Sequence, residues 1–433
     1  MENESERTCR APIAVGRVTP CAPRLQPAGA TFSRGRLPTG GSQSRGWTAG
    51  RLVFLALAGA MFALAQPTSA REFYVFIGTY TNASSQGIYV SRLDAATGRL
   101  AAPALAAATP SPCYLAVSPD QKFVYAANSV RDFSDDAVTN GGAVSAFAMD
   151  AASGKLALLN QKCSGGMGPC HVSLDASGRV LLAANYGDGR VRAFLLETNG
   201  AIGPAGDGVR RTGSGPNPGR QASAHAHYIH VDPSNRFALV CDLGTDGVAV
   251  YPLEVRNAGL QPSRARDFPV PPGAGARHLA FSPDGKYAHV INEMACTVTT
   301  FAWDSGPGRL ELVGTVSALP PGVGAQPGFT AAEILAAGHF IYASIRGHDS
   351  ISVFAADAAT GRLTFVQTVA SGGKVPRGLG IDPTGRWLLA GNQNSDAVVE
   401  FAIDPVTGRL SATGQALKIG SPVDVKFASP DRN

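Results

Sequence analysis

The chain has 433 residues, 44% hydrophobic, 16% charged and only 7% aromatic, with 51 Gly and 30 Pro, a balance that suits short strands joined by many turns and argues against long helices. Its formal charge is +5, but residues 1–70 hold eight Arg and no Lys against three Glu, and the remaining 29 basic and 29 acidic residues cancel. The body of the protein therefore offers no bulk electrostatic footprint for nucleic acid.

Residues 1–51 are rich in Arg, Pro, Gly and Ser without periodicity and read as a disordered leader. Residues 52–65, LVFLALAGAMFALA, are an apolar run too short for a comfortable membrane span and suited to the core of a signal peptide. Arg45 and Arg51 supply its positive flank, and the small residues Ala63, Ala65, Thr68 and Ala70 follow near a cleavage point. The expectation is a leader with signal peptide over residues 1–70 and one domain over residues 71–433. The mature protein is expected to be exported, periplasmic or secreted, with no stable membrane insertion after processing. Five cysteines follow residue 70, with neither a C-x-x-C pair nor zinc spacing. Cys163 and Cys170 are close enough in sequence to pair, and the pattern leaves that open.

From Phe73 onward the chain repeats one unit, clearest at residues 277–310. A short apolar run meets the turn Ser282-Pro-Asp-Gly, a second ends on Asn292 and Glu293, and a third alternating run leads through Gly308 to a fourth strand. The glycine before the fourth strand recurs as Gly98, Gly154, Gly200, Gly259, Gly308, Gly361 and Gly408, a mean period of about 52 residues. The first turn recurs at Ser118, Asp175, Asp232, Ser282 and Asp382. Four strands per repeat and seven repeats predict an all-β, seven-bladed β-propeller. The first repeat begins on a second strand, at Phe73, and the chain ends with Ser421-Pro-Val-Asp-Val-Lys-Phe427, a first strand lacking its partner. The C-terminal strand is therefore expected to complete the first blade and close the ring.

In an antiparallel pair, the start of strand one lies beside the end of strand two, so in a propeller these ends gather at one mouth of the central channel. The first-strand starts supply Tyr114, His171, His227, Arg277, His278, Glu333, Arg377 and Asp424. The second-strand ends supply Tyr80, Asn128, Asn185, Tyr186, Asp242, Asn292, Glu293, Arg346, Asn392 and Gln393. The longest connections, near residues 203–224 and 315–329, fall on the same face. For Asn128, Asn185 and Asp242 a role in satisfying turn backbone groups is the favoured reading. His225 and His227 share a strand face, but no third ligand stands at a recognised metal spacing. Arg277, Arg346 and Arg377 are more guanidinium than Glu293 and Glu333 require as partners, so anion recognition competes with structural ion pairing.

The segments His225-Ala-His227, Asp242-Leu-Gly-Thr-Asp246, Arg277-His278-Leu-Ala-Phe, Asn292-Glu293, Ser344-Ile-Arg346-Gly-His-Asp, Pro376-Arg377 and Gly391-Asn-Gln-Asn resemble the lactonase family of seven-bladed propellers. That family includes propeller-type 6-phosphogluconolactonases and carboxymuconate cyclases, and the resemblance covers about residues 73–427. In the cyclase branch the catalytic cluster is a His, two Arg and a Glu. The resemblance puts these on His227, Arg277, Glu293 and Arg346; the step from His227 to the turn proline Pro233 selects it over His225. Ile345 stands where Asn commonly precedes the last Arg.

The resemblance implies a lactone hydrolase for a sugar lactone, aldono- or phosphoglucono-, with no metal or cofactor. Glu293 would be base or proton relay, Arg277 and Arg346 would stabilise the oxyanion, and His227 would protonate the leaving alkoxide. Asn185, Asn292, Glu333, Arg377 and Gln393 complete the expected substrate-binding set. The contrasting expectation is a non-catalytic exported propeller that binds a partner protein or carbohydrate on its rim. The signal-like run predicts processing: N-terminal sequencing of exported protein should give a chain beginning between about residues 66 and 71, and one beginning before residue 52 would contradict it.

Overall fold

The computed structural model describes residues 71–430 apart from residues 83, 135–140 and 207. The expected leader and its apolar run, and residues 431–433, lie outside the described residues. The described residues form seven antiparallel sheets and contain no α-helix. Each sheet is a blade of four strands in radial order, with the outermost position split into two short pieces in blades 3 and 4. In blade 4 the split falls at a single 3₁₀ turn, Pro262–Arg264, where the proline has no N–H to give a ladder.

The inner strands are Pro422–Ala428, Pro112–Val117, Pro169–Leu174, Ala226–Val231, Ala276–Phe281, Thr330–Ala337 and Pro376–Ile381 for blades 1 to 7. Each touches the next around the circle, and the last touches the first. Glu72–Thr79 pairs on one side with Gly87–Asp94 and on the other with Pro422–Ala428, from Tyr74 opposite Ala428 to Thr79 opposite Pro422. The C-terminal strand thus completes blade 1, as the unpaired sequence halves require.

The blades are held together by a contact that explains the repeat glycine. An aromatic ring at the start of one blade's second strand lies flat against the glycine turn of the next blade. A Cβ on Gly361 would come within 2.3 Å of the Tyr287 ring, and one on Gly408 within 2.3 Å of Phe340. Trp387 of blade 7 meets Gly98 of blade 1 in the same way, so the closing interface is built like the others. The turn also needs a left-handed backbone, with φ of 69° at Gly361. Blade 4 departs from the expectation. Gly259 opens the outer strand instead, and Ala258 takes the left-handed position, with φ 51°. The ring that would exclude a Cβ there is absent, because blade 3 presents Val180, which packs with Ala258 in one apolar cluster. Side-chain amides add a second bond between blades: Asn160 and Ile202, Gln367 and Leu410, and Gln415 with Gly98 and Leu100.

Two outcomes follow. Removing residues 421–433 strips blade 1 of its inner strand and should cost several kcal/mol, enough to unfold or aggregate the domain in a melting experiment. Val180→Phe should lose about 1–3 kcal/mol by overpacking against Ala258, and Ala258→Gly in the same chain should recover part of that loss in urea titration.

Candidate active site

Every inner strand carries one extra residue near its N-terminal end. Its pairing with the second strand slips between Pro112 and Tyr114, Pro169 and His171, Ala226 and Tyr228, Ala276 and His278, and Pro376 and Gly378. In blade 6 the slip falls between Ala331 and Ile334, and in blade 1 it leaves Val423 unpaired. A bulge breaks the alternation of a strand and re-aims the side chain it carries. Consecutive residues therefore both reach the channel: Arg277 contacts Glu293 while His278 contacts Glu333.

The channel is divided by a waist between a mouth cavity of about 520 Å³ and a far chamber of about 730 Å³. The mouth cavity is lined by Tyr186, Arg220, His227, Glu293, Arg346 and Arg377, among others. Glu293 follows the second strand of blade 5, and its backbone N–H is held by Gly275 O at 2.7 Å while its carbonyl accepts from Ala331 of blade 6. That fixes its carboxylate at the seam of two blades, where three guanidiniums converge. Arg277 Nε lies 2.9 Å and Arg346 Nη2 3.0 Å from Oε2, and Arg220 Nη2 lies 2.6 Å from Oε1. Burial opposes the charge on Glu293, but Arg346 and Arg277 outweigh it and hold the carboxyl well below the usual carboxylate range. Burial also lowers Arg346 to about 10, Glu293 offsetting only part of this while Arg277 and Arg377 add to it. Arg377 faces the same cavity above the Tyr80 ring and has no ion-pair partner among the described residues.

His227 occupies the bulge of blade 4, beside the rings of Tyr186 and His278. Burial first, then the charge on Arg277, holds it well below its ordinary pKa, so the ring is neutral at pH 7. Its Nδ1 and the Nε of Arg346 are buried without a hydrogen-bond partner among the described residues. Five other buried polar atoms among the described residues are unpaired too, Asn292 Oδ1 and Gln393 Oε1 among them, but only the two on His227 and Arg346 belong to residues that line the mouth cavity. His225 does not share this position. It stacks on Tyr186 and bonds Tyr186 O through Nδ1 at 2.8 Å. Among the described residues no group of three or more His, Cys, Asp or Glu is placed to hold a metal.

Of the nine expected site residues, the structure gathers His227, Arg277, Glu293, Arg346 and Arg377 at the mouth and its floor. The remaining four do not line the mouth cavity. Asn185 is turned into its blade, accepting from Ser164 Oγ at 2.5 Å and donating to Arg190 O. Asn292 likewise bonds Thr297 and Thr299. Gln393 lies in a 3₁₀ turn outside the cavity. Glu333 sits below the mouth, at the waist, bound to His278. Asn128 and Asp242 serve their turns, the latter also paired with Arg211 at 2.6 Å. Arg220 and Arg131 line the cavity without having been expected. Arg220 belongs to the long loop near residues 203–224, whose place at the mouth was its only sequence signal. Cys170 carries a free thiol and is therefore not bonded to Cys163.

The description "Lactonase, 7-bladed beta-propeller" matches residues 74–427. The chain belongs to this lactonase family. It is 34% identical to the 6-phosphogluconolactonase of Bacillus subtilis over 352 residues, 81% of this chain and 97% of the relative. It is 30% identical to a 6-phosphogluconolactonase of Formosa agariphila over 325 residues, 74% of this chain and 89% of that one. The solved structure of a periplasmic gluconolactonase from Pseudomonas aeruginosa superposes with a TM-score of 0.75 at 34% identity, covering 83% of this chain and all of that one. These relatives support lactone hydrolysis as the activity of the fold, with a small-molecule lactone as substrate.

The neutral histidine sets a pH test. With the His227 pKa lowered from 6.5, its neutral form survives as pH falls through that value. The acid limb of lactonase kcat/KM should therefore lie below pH 6.5, and a limb centred above it would show that another group carries the limb.

Proposed function

We propose that the protein hydrolyses a sugar lactone in the mouth cavity, through chemistry supplied by its own side chains. The observation that carries this reading is the meeting of an ionised Glu293 held by three arginines with a neutral His227 whose Nδ1 has no partner. Glu293 was expected to be a proton relay or the base. A carboxylate with a strongly depressed pKa and both oxygens engaged is a weak one, and its role here is to balance the arginines. His227 lines the cavity with Nδ1 unpaired, and on that ground it is assigned as the base. It takes a proton from water as the oxygen bonds to the lactone carbonyl carbon, and Arg346 and Arg277 stabilise the oxyanion. When the ring C–O bond breaks, the imidazolium returns a proton to the leaving alkoxide. The product is an open-chain hydroxy acid, whose carboxyl proton goes to solvent.

Arg377, unpaired beside the cavity, suits an anionic substituent such as a phosphate. Export rests on the apolar run at residues 52–65 and on the likeness to a periplasmic gluconolactonase. Outside the cytosol an unphosphorylated aldonolactone is the available substrate, whereas the guanidiniums also fit the phosphorylated one. A pH-stat assay of both lactones, corrected for spontaneous opening, tests the reading, and hydrolysis of neither would refute it. His227→Gln should lower kcat by about 10²–10⁴-fold, and His225→Ala should do much less. Arg377→Ala should raise KM for the phosphorylated lactone by about 10–100-fold while leaving KM for gluconolactone nearly unchanged.

A further inference from the structure

Arg277 is 1% exposed, and its five N–H donors must be accounted for one by one. Nε donates to Glu293, and Nη1 donates to Ala332 O and to His278 Nε2 at 3.2 Å. Nη2 finds no acceptor among the described residues, and Arg277 lines the floor beneath the mouth cavity. A guanidinium can only donate, so His278 Nε2 is the acceptor and the ring proton sits on Nδ1. Nδ1 in turn donates to Glu333 Oε1 at 2.8 Å. Glu333 is fixed by its own backbone, which donates to Ser344 Oγ, and by the Ile334 N–H on Oε1. The His278 ring is packed by Tyr114, His171, His227 and Tyr228, with centroids 5.1–5.6 Å away. The chain of contacts runs from Glu333 through His278 to the guanidinium, and every member is at least nine-tenths buried.

We propose that His278 and Glu333 are positioning residues that fix the tautomer and orientation of the Arg277 partner chain, so that Nη2 is presented to the lactone oxyanion. This rests on the reading of Arg277 as an oxyanion group. Because a misplacement of about 1 Å in such a group can cost about 10²-fold, His278→Leu should lower kcat by about 10–100-fold with little change in KM. His278→Gln, whose carbonyl can stand where Nε2 stood, should recover most of the rate. Glu333→Gln, which still accepts from Nδ1, should keep more activity than Glu333→Leu.

The deciding experiment is a double-mutant cycle with Arg277→Lys on the mature domain, with melting curves recorded for each variant and a crystal structure of His278→Leu. If His278 acts through Arg277, the double variant is no slower than Arg277→Lys alone, and the Arg277 guanidinium leaves its place in the His278→Leu structure. Full additivity, full activity of His278→Leu, or an unmoved guanidinium would overturn the positioning role while leaving the lactonase reading standing. Full activity of Arg277→Lys would instead remove the oxyanion reading, and this proposal with it.

Discussion

The site depends on one extra residue in each inner strand. Without the bulge, a strand that sends residue 277 to the channel would send residue 278 into the blade. With it, neighbouring residues both face the axis, and the channel is lined in tiers: Cys113, Cys170, His227, Arg277, Arg377 and Val423 at the floor of the mouth, Tyr114, His171, Tyr228, His278, Glu333 and Asp424 just below. Ordinary strand alternation could not place Glu293, Arg277, His278 and Glu333 in one continuous chain of contacts.

That density of charge is held at a cost the surroundings must offset. Two guanidiniums and a carboxylate almost wholly removed from water each lose hydration, and their mutual attraction repays it only with good geometry. The distances of 2.9 and 3.0 Å to Glu293 meet that condition, and the partly exposed Arg220 adds a third. Burial first, and then the excess of positive charge, keeps the neighbouring histidines neutral. The same cations hold Glu293 ionised and lower the basicity of His227 as well. These electrostatics are not displayed by a residue list.

What the sequence made legible was what turn chemistry writes locally. The repeated glycines, the Ser-Pro-Asp-Gly turns and the unpaired strand halves gave seven blades and the closing strand. They gave them because φ > 0 and a missing N–H restrict which residues can stand in a turn. The one slip, at Gly259, arose because the glycine is demanded by a ring in the preceding blade, and Val180 is not a ring. Site residues were legible to the level of strand ends. Strand-end position does not say whether an Asn turns to the channel or to its own turn, so Asn185 and Asn292 were misassigned. Glu333 stands at the waist beside His278, and the bulge that sets its level leaves no mark in hydrophobic periodicity. Arg220 stands in an irregular loop, where no period constrains any residue.

The ring's near symmetry makes the distribution of its chemistry informative. At corresponding inner-strand bulges, blades 2, 3 and 1 carry Cys113, Cys170 and Val423, whereas blades 4, 5 and 7 carry His227, Arg277 and Arg377. Glu293 and Arg346 add to the second side from blades 5 and 6. One wall of the mouth is thus mostly thiol, methyl and aromatic, with Tyr80 and Met167 beside it and Arg131 at its rim, and the other is ionic. A seven-fold scaffold presents the same strand end seven times, so bland residues at three ends leave space that charged ones would have filled with counter-charges. The cavity is open because only part of the ring was given to the ion cluster. An anionic or strongly polarised ligand entering it meets the cations of blades 4 to 7 on one side.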